Sequence, residues 1–286
     1  LAPLQRFLST AALSKHRLFV WLSAPVLPDH QLFAFARMDD FLFGILQSRF
    51  HEVWGLKQGT RLETRPRYTP TTCLETFSFP FPDDLETKPP QFAPAPIKPP
   101  SHPDLTPEKA YGDAAHYFAA KEQGSPYRAT REDHRDAIAA AAKELNDLRE
   151  RWLNPPEWTV THTLEFPGSQ GGPWDRYVDP ATVDPKTGIG SVRYPRLEPK
   201  DADCAAKLKK RTLTNLYNER PAWLDLAHKK LDAAVADAYG WPADLTDEQI
   251  LEKLLALNLE RASEEAKSTK VKKPKSQRAK TTDELI

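Results

Sequence analysis

The 286-residue chain sets 40 Lys and Arg against 40 Asp and Glu, so no net charge draws it to a polyanion, which weighs mildly against a pure nucleic-acid binder. Apolar residues make up 40%, enough for a core, but no apolar run approaches a membrane span and no charged-then-apolar leader opens the chain. Cys73 and Cys204 are too few and too far apart for a disulfide framework or a zinc site, and a reducing cytoplasm is the expected compartment.

The length allows one large domain or two ordinary ones. The chain opens on Leu1, directly in a folded-looking pattern, and upstream sequence is expected. Residues 1–82 read as one unit. The apolar, aromatic-rich runs 17–22 and 31–37 lie on either side of Pro25 and Pro28 and predict two strands joined by a turn. Asp39 and Asp40 offer N-caps for one helix that carries Leu42, Ile45, Leu46, Phe50, Val53 and Trp54 at helical spacing and stops near Gly59.

Residues 83–129 are expected to be a linker. Ten of the chain's 27 prolines fall between Pro80 and Pro107, and proline removes donors and favours extended structure. Thr130 and Asp133 form a capping box for a helix to about Trp152, with Ile138, Ala141, Leu145 and Leu148 on one face. Residues 153–200, rich in Gly and Pro, read as an irregular insertion. Pro221 opens another helix, ended by Gly240 and Pro242, and Thr246 with Gln249 caps the last one. The helical region is expected to close near residue 262. Seven basic and no acidic residues from Lys267 to Lys280 mark residues 263–286 as a basic, disordered tail. The fold class is α+β: a mixed strand and helix domain, a proline-rich linker, then a mostly helical region.

Two signals imitate catalysis. Asn154-Pro155-Pro156-Glu157 resembles the Asn-Pro-Pro-aromatic motif that grips a flipped base in amino methyltransferases. It has Glu157 in the aromatic position, follows a helix instead of a buried strand, and lacks a preceding glycine-rich cofactor loop, so it reads as a helix stop. Asp83-Asp84-Leu85-Glu86-Thr87-Lys88 imitates a metal-dependent nuclease pattern, but its acids share one segment and cannot come from adjacent strands. The eight histidines are scattered singly, and Gly168-Ser169-Gln170-Gly171-Gly172 lacks the setting of a phosphate loop. No constellation supports a free-standing hydrolase.

Cations and aromatics interleave in Lys15-His16-Arg17-Leu18-Phe19-Val20-Trp21, in Ser48-Arg49-Phe50-His51 and in Arg65-Pro66-Arg67-Tyr68-Thr69. Such a pattern suits DNA, where Arg and Lys meet phosphates and base edges. The candidate contacts are Lys15, Arg17, Arg49, Arg61, Arg65 and Arg67, with Tyr68, Thr69 and Thr71 suited to phosphates. Arg65 and Arg67, on alternate positions of a loop, are best placed for bases; Lys15 and Arg17 are assigned to phosphate. His51, Trp54, Phe77, Phe79 and Phe81 read as packing, and Trp223 and Trp241 as anchors.

From about residue 6 to 82 the chain resembles the target recognition domain of bacterial single-chain restriction–modification enzymes, the Type IIG/IIL class of adenine-specific DNA methyltransferases. The resemblance is carried in order by Ser14-Lys15-His16-Arg17, by Phe43-Gly44-Ile45-Leu46-Gln47-Ser48-Arg49-Phe50-His51 with Trp54, by Arg67-Tyr68-Thr69 and by Glu75-Thr76-Phe77-Ser78-Phe79-Pro80. Leu213-Thr214-Asn215-Leu216-Tyr217-Asn218, Tyr239-Gly240-Trp241 and residues 255–261 are similar to the end of that family. The resemblance implies double-stranded DNA as partner and an S-adenosylmethionine-dependent methyltransferase domain upstream in the parent enzyme. It implies no cofactor in this chain, which alone is not expected to methylate or cut. The alternative is a structural or protein-interaction fragment with incidental DNA binding.

Overall fold

A computed structural model describes residues 4–23, 26–62, 65–81 and 129–271. Most of the proline-rich stretch, the acidic segment 83–88 and residues 272–286 lie outside the described residues.

The N-terminal part is built on three strands, β1 (Arg6–Ala11), β2 (Phe19–Ser23) and β3 (Leu32–Phe35). The two expected strands are present, but they do not pair with each other. Both lie antiparallel to β1 in the order β2-β1-β3, with Leu8 opposite Trp21 on one side and Phe35 on the other. The residues between β2 and β3 therefore cross from one end of the sheet to the other. The central strand was hidden by its own chemistry: Ser9 and Thr10 look like loop residues. Both are buried, and each hydroxyl donates to a main-chain carbonyl, Ser9 to Phe33 and Thr10 to Leu18.

The predicted single helix is two, α1 (Asp40–Gln47) and α2 (Arg49–Gln58). Asp39 caps α1 by accepting from the Leu42 amide at 2.9 Å. At Ser48 the backbone is extended, and its hydroxyl donates back to the Ile45 carbonyl, a competing bond of the kind that interrupts helices. The new helix start is capped from far away: Asp232 accepts from the Arg49 amide at 2.8 Å. A short hairpin follows, β4 (Arg61–Leu62) with β5 (Arg65–Pro66), then one turn of helix, α3 (Pro70–Cys73).

Helix α4 (Arg131–Leu153) begins on the capping box expected at Thr130 and Asp133. Residues 153–200 are not irregular. They form an antiparallel ribbon of β6 (Thr159–Ser169) and β7 (Ile189–Pro199), paired over eleven positions. Pro167, Pro195 and Pro199 obscured it. Both strands of a two-stranded ribbon are edges, where missing donors cost nothing to a third strand. Helices α5 (Ala202–Leu208), α6 (Leu213–Glu219), α7 (Ala222–Tyr239) and α8 (Asp247–Val271) complete the chain. Gly240 ends α7 in the left-handed region at φ 68°, and α8 runs on past residue 263, where the tail was expected to start.

One core joins the two halves. Phe43, Ile45 and Leu46 of α1, Ala137, Ile138, Ala141 and Leu145 of α4, and Leu224, Leu231 and Val235 of α7 belong to a single buried cluster. Trp241 and Tyr239 stack at 4.3 Å, and both meet the ring of Phe50. Arg149 of α4, 2% exposed, donates to the Phe19 carbonyl at 3.1 Å. The C-terminal helices thus pack directly on the first unit.

Candidate nucleic-acid interface

The β4–β5 hairpin lies beside the end of β1. The Ala12 amide donates to the Gln31 carbonyl, Leu13 bridges Arg67, and the Tyr68 amide donates to the Ala12 carbonyl. The Arg67 amide donates to the Thr60 carbonyl at 2.8 Å. The approach is close: a Cβ on Gly59 would fall 2.5 Å from the Arg67 carbonyl oxygen. Arg61 pairs with Pro66 and Leu62 with Arg65.

Beneath the hairpin is a buried polar network. Arg17 is 5% exposed. Its Nη1 donates to Thr10 Oγ1 at 3.1 Å and to the Ala11 carbonyl, and its Nη2 donates to the Pro66 carbonyl at 3.0 Å. It lies over the Tyr68 ring, 5.0 Å from the centroid. Tyr68, 1% exposed, is 3.2 Å through its hydroxyl from His51 Nε2, and His51 Nδ1 is 3.1 Å from the Leu46 carbonyl. A carbonyl only accepts, so Nδ1 carries the proton and Nε2 accepts from the Tyr68 hydroxyl. Burial holds His51 at a pKa of about 3, with the Arg17 charge adding to the depression, so the imidazole is neutral. Burial also raises the Tyr68 phenol.

The nine candidate residues therefore separate, with Thr69 half-buried just before α3. Arg65, Arg67, Thr71 and Lys15 are exposed. Lys15 Nζ donates to Asn218 Oδ1 of α6 at 2.6 Å. Arg61 belongs to the hairpin by its backbone, and its side chain lies outside the described residues. Arg17 and Tyr68 are buried, and their hydrogen bonds run to the hairpin, to β1 and to His51 inside the fold. Arg49 is a brace. It donates to the Leu245 carbonyl and pairs with Asp247 at 2.6 Å, tying α2 to the start of α8. It lines a cleft of about 340 Å³ with Glu52 and Asp232, whose carboxyls burial raises, Asp232 to about 6.

Sequence reading missed Thr10, which accepts from Arg17, and Arg149. A signal for Arg149 existed: it continues the apolar face of α4 four residues after Leu145, where a cation must find buried acceptors. Asn154, of the methyltransferase-like motif, caps α4 and donates to the Glu150 carboxylate at 3.1 Å. Among the described residues no cluster of acids, His and Cys could hold a metal, and no helix is long and apolar enough to cross a membrane.

Residues 11–82, the segment that carries the hairpin and its buried supports, match the family described as MmeI, target recognition domain. This segment is a target recognition domain of the MmeI kind. A solved structure of the Type IIL restriction-modification enzyme MmeI in complex with DNA aligns at 18% identity with a TM-score of 0.47. The alignment covers 92% of this chain and 22% of that one, so the chain spans about a fifth of that enzyme's length. No curated protein matches the chain. The target recognition domain thus contains β2, β3, α1, α2 and the hairpin, and α4 and α7 pack against it.

Proposed function

We propose that this chain is the DNA sequence-recognition portion of a restriction–modification enzyme, in which the β4–β5 hairpin presents Arg65 and Arg67 to base edges. The carrying observation is the family match over residues 11–82, which contain that hairpin. The geometry supports it: two exposed arginines flank Pro66 on a backbone fixed from below. Arg forms two bonds to guanine in the major groove, and each such pair contributes about 1–3 kcal/mol of discrimination. Lys15 and Thr71, exposed on either side in sequence, are assigned to phosphates, with Arg61 on the same hairpin. Arg49 has a minor part at most, because its donors serve α8.

In this reading a recognition unit, residues 1–82, is joined through a linker to a helical region that braces it. Methyl transfer from S-adenosylmethionine belongs to a separate domain of the parent enzyme. The partner is double-stranded DNA.

Selection from a randomised duplex pool tests the assignment. Arg65→Ala and Arg67→Ala should each relax preference at one position of the selected site. Lys15→Ala should weaken binding to every sequence alike and flatten the salt dependence by about one unit. If both Arg variants keep the parental preference and lose only affinity, the base-reading role fails. If none of the three changes binding, this face does not meet DNA. The interaction-fragment reading then gains, favoured by the exposed Leu255 and Leu259 one turn apart on α8.

A further inference from the structure

The β4–β5 hairpin has two described residue pairs, too few for a hairpin to hold its own shape in water. Its conformation comes from what it is bonded to. At Pro66 the strand has no amide to donate, so its carbonyl is the one backbone polar group available there, and Arg17 occupies it. The same guanidinium grips Thr10 and Ala11 at the end of β1. One planar group therefore fixes the distance between the central strand and the point midway between Arg65 and Arg67. Residues 65 and 67 are two apart on an extended backbone, so their side chains leave on the same side, and a shift at Pro66 carries both with it. Recognition through paired hydrogen bonds tolerates about 0.5 Å of misplacement.

We propose that Arg17, seated on Tyr68, is a positioning residue that sets the register of the reading hairpin, and so controls sequence preference without touching DNA. The inference rests on the DNA-reading function proposed above. The Tyr68 ring forms the floor under Arg17, and His51 holds that ring from behind through the phenol. A lysine at position 17 would keep the charge but not the planar fork that bridges β1 and β5. This differs from a phosphate contact, the role sequence reading gave Arg17, in a way experiment can separate.

The variants are Arg17→Lys and Arg17→Met in the full chain, beside Arg65→Ala and Arg67→Ala. Three quantities are read: hydrogen exchange at the Arg67 and Tyr68 amides, preference across a randomised duplex pool, and the salt dependence of duplex binding. Arg17→Lys should speed exchange at those two amides about tenfold while amides of α4 and α7 stay protected. It should blur preference at the positions that Arg65→Ala and Arg67→Ala blur, and leave the salt slope unchanged. Added to the two Arg→Ala changes, it should blur nothing more. A salt slope flattened by about one unit with preference intact would overturn the proposal and make Arg17 a phosphate contact. Unchanged exchange and unchanged preference would also overturn it. Arg17→Met, which strands three acceptors, is the harsher variant; if it fails to fold, Arg17→Lys alone decides. If the unaltered chain shows no duplex preference, the reading function fails, and the positioning role in recognition fails with it. Exchange would then still report whether Arg17 pins the hairpin.

Discussion

The β4–β5 hairpin holds two described residue pairs and borrows every support from its surroundings, whereas β6–β7 holds eleven and carries its own small core. On the ribbon, Trp174 meets Phe166 and Tyr194, each at 5.1 Å between ring centroids, and Tyr177 meets Tyr194 at the same distance. Val192 and Val178 are buried beneath them. Arg176 donates to the Gln5 carbonyl, bringing the ribbon back to the start of β1. Among its described residues the short hairpin has no such cluster. It is clamped by Arg17, Thr60 and Ala12, and Arg17 in turn lies over Tyr68. A structure that supports itself is hard to adjust from elsewhere. One that is held by a few buried polar groups can be re-aimed by changing any of them.

Acid should give the largest effect and should act unequally on the two hairpins. His51 and His228 are held near a pKa of 3 by burial, against an ordinary value of 6.5. Below pH 6.5 the unfolded chain binds protons on both and the folded chain does not. Each therefore withdraws about 1.4 kcal/mol of stability per pH unit down to about pH 3. Asp232 acts in the opposite direction. Its folded carboxyl, at about 6, takes a proton before the unfolded one at 3.8, so it returns stability as pH falls between those values. Lying at the wall of a cleft, it returns no more than about 1.4 kcal/mol per unit. From these three groups the loss between pH 6.5 and 4.5 should be about 3 kcal/mol, read as a drop in the urea midpoint. His51 lies beneath the short hairpin, while His162 of the ribbon is exposed. Amides of Arg67 and Tyr68 should lose exchange protection before those of Glu165 and Val192. The reverse order would break the comparison.

A second change should damage the ribbon alone. Trp174→Ala removes the ring shared by Phe166, Tyr177 and Tyr194. Because Trp174 is only partly buried, the cost should be about 2 kcal/mol, below the usual range for a fully buried Trp. Exchange should quicken along β6 and β7 with β4–β5 and duplex binding unaltered. Loss of protection at Arg67 as well would show that the ribbon contributes to holding the short hairpin, through Gln5 and β1.

The contrast also separates what the sequence announced from what it concealed. Local signals were legible. Thr130 and Asp133 lie three residues apart and satisfy each other's amides, and Gly240 ends α7 by a conformation it adopts alone. Signals that depend on distant partners were not. The break at Ser48 is stabilised by Asp232, which caps the Arg49 amide from 183 positions away, and no local window contains that cap. Ser9 and Thr10 became strand residues because Phe33 of β3 and Leu18, just before β2, supplied acceptors for their hydroxyls. The burial of Arg17 was hidden for the same reason. A cation in an aromatic strand reads as a surface contact until its acceptors, Thr10, Ala11 and Pro66, are brought around it. Arg65 and Arg67 are exposed, as that reading required, because their neighbour Pro66 faces the clamp.

The smallest effect is the sharpest comparison of the two hairpins. Tyr68→Phe keeps the ring that meets Phe19 at 5.8 Å and Arg17 at 5.0 Å, and deletes only the hydroxyl. His51 Nε2 is then a fully buried acceptor without its donor, which should cost about 1 kcal/mol. Tyr194→Phe makes the same deletion on the ribbon, where the half-buried ring meets Trp174 and Tyr177. Its cost should stay within about 0.5 kcal/mol, as for most changes outside a buried network. Urea midpoints of the two variants, measured side by side at pH 7.5, give the difference directly. Equal costs would mean that the Tyr68 hydroxyl is not part of the support. Imidazole nitrogen shifts add an independent check. They should show His51 protonated on Nδ1 and bare on Nε2 in the unaltered chain, and the same tautomer in Tyr68→Phe, because the Leu46 carbonyl still requires the Nδ1 proton. A tautomer flipped in the unaltered chain would reverse the direction of the Tyr68 bond and remove the reason for the predicted difference.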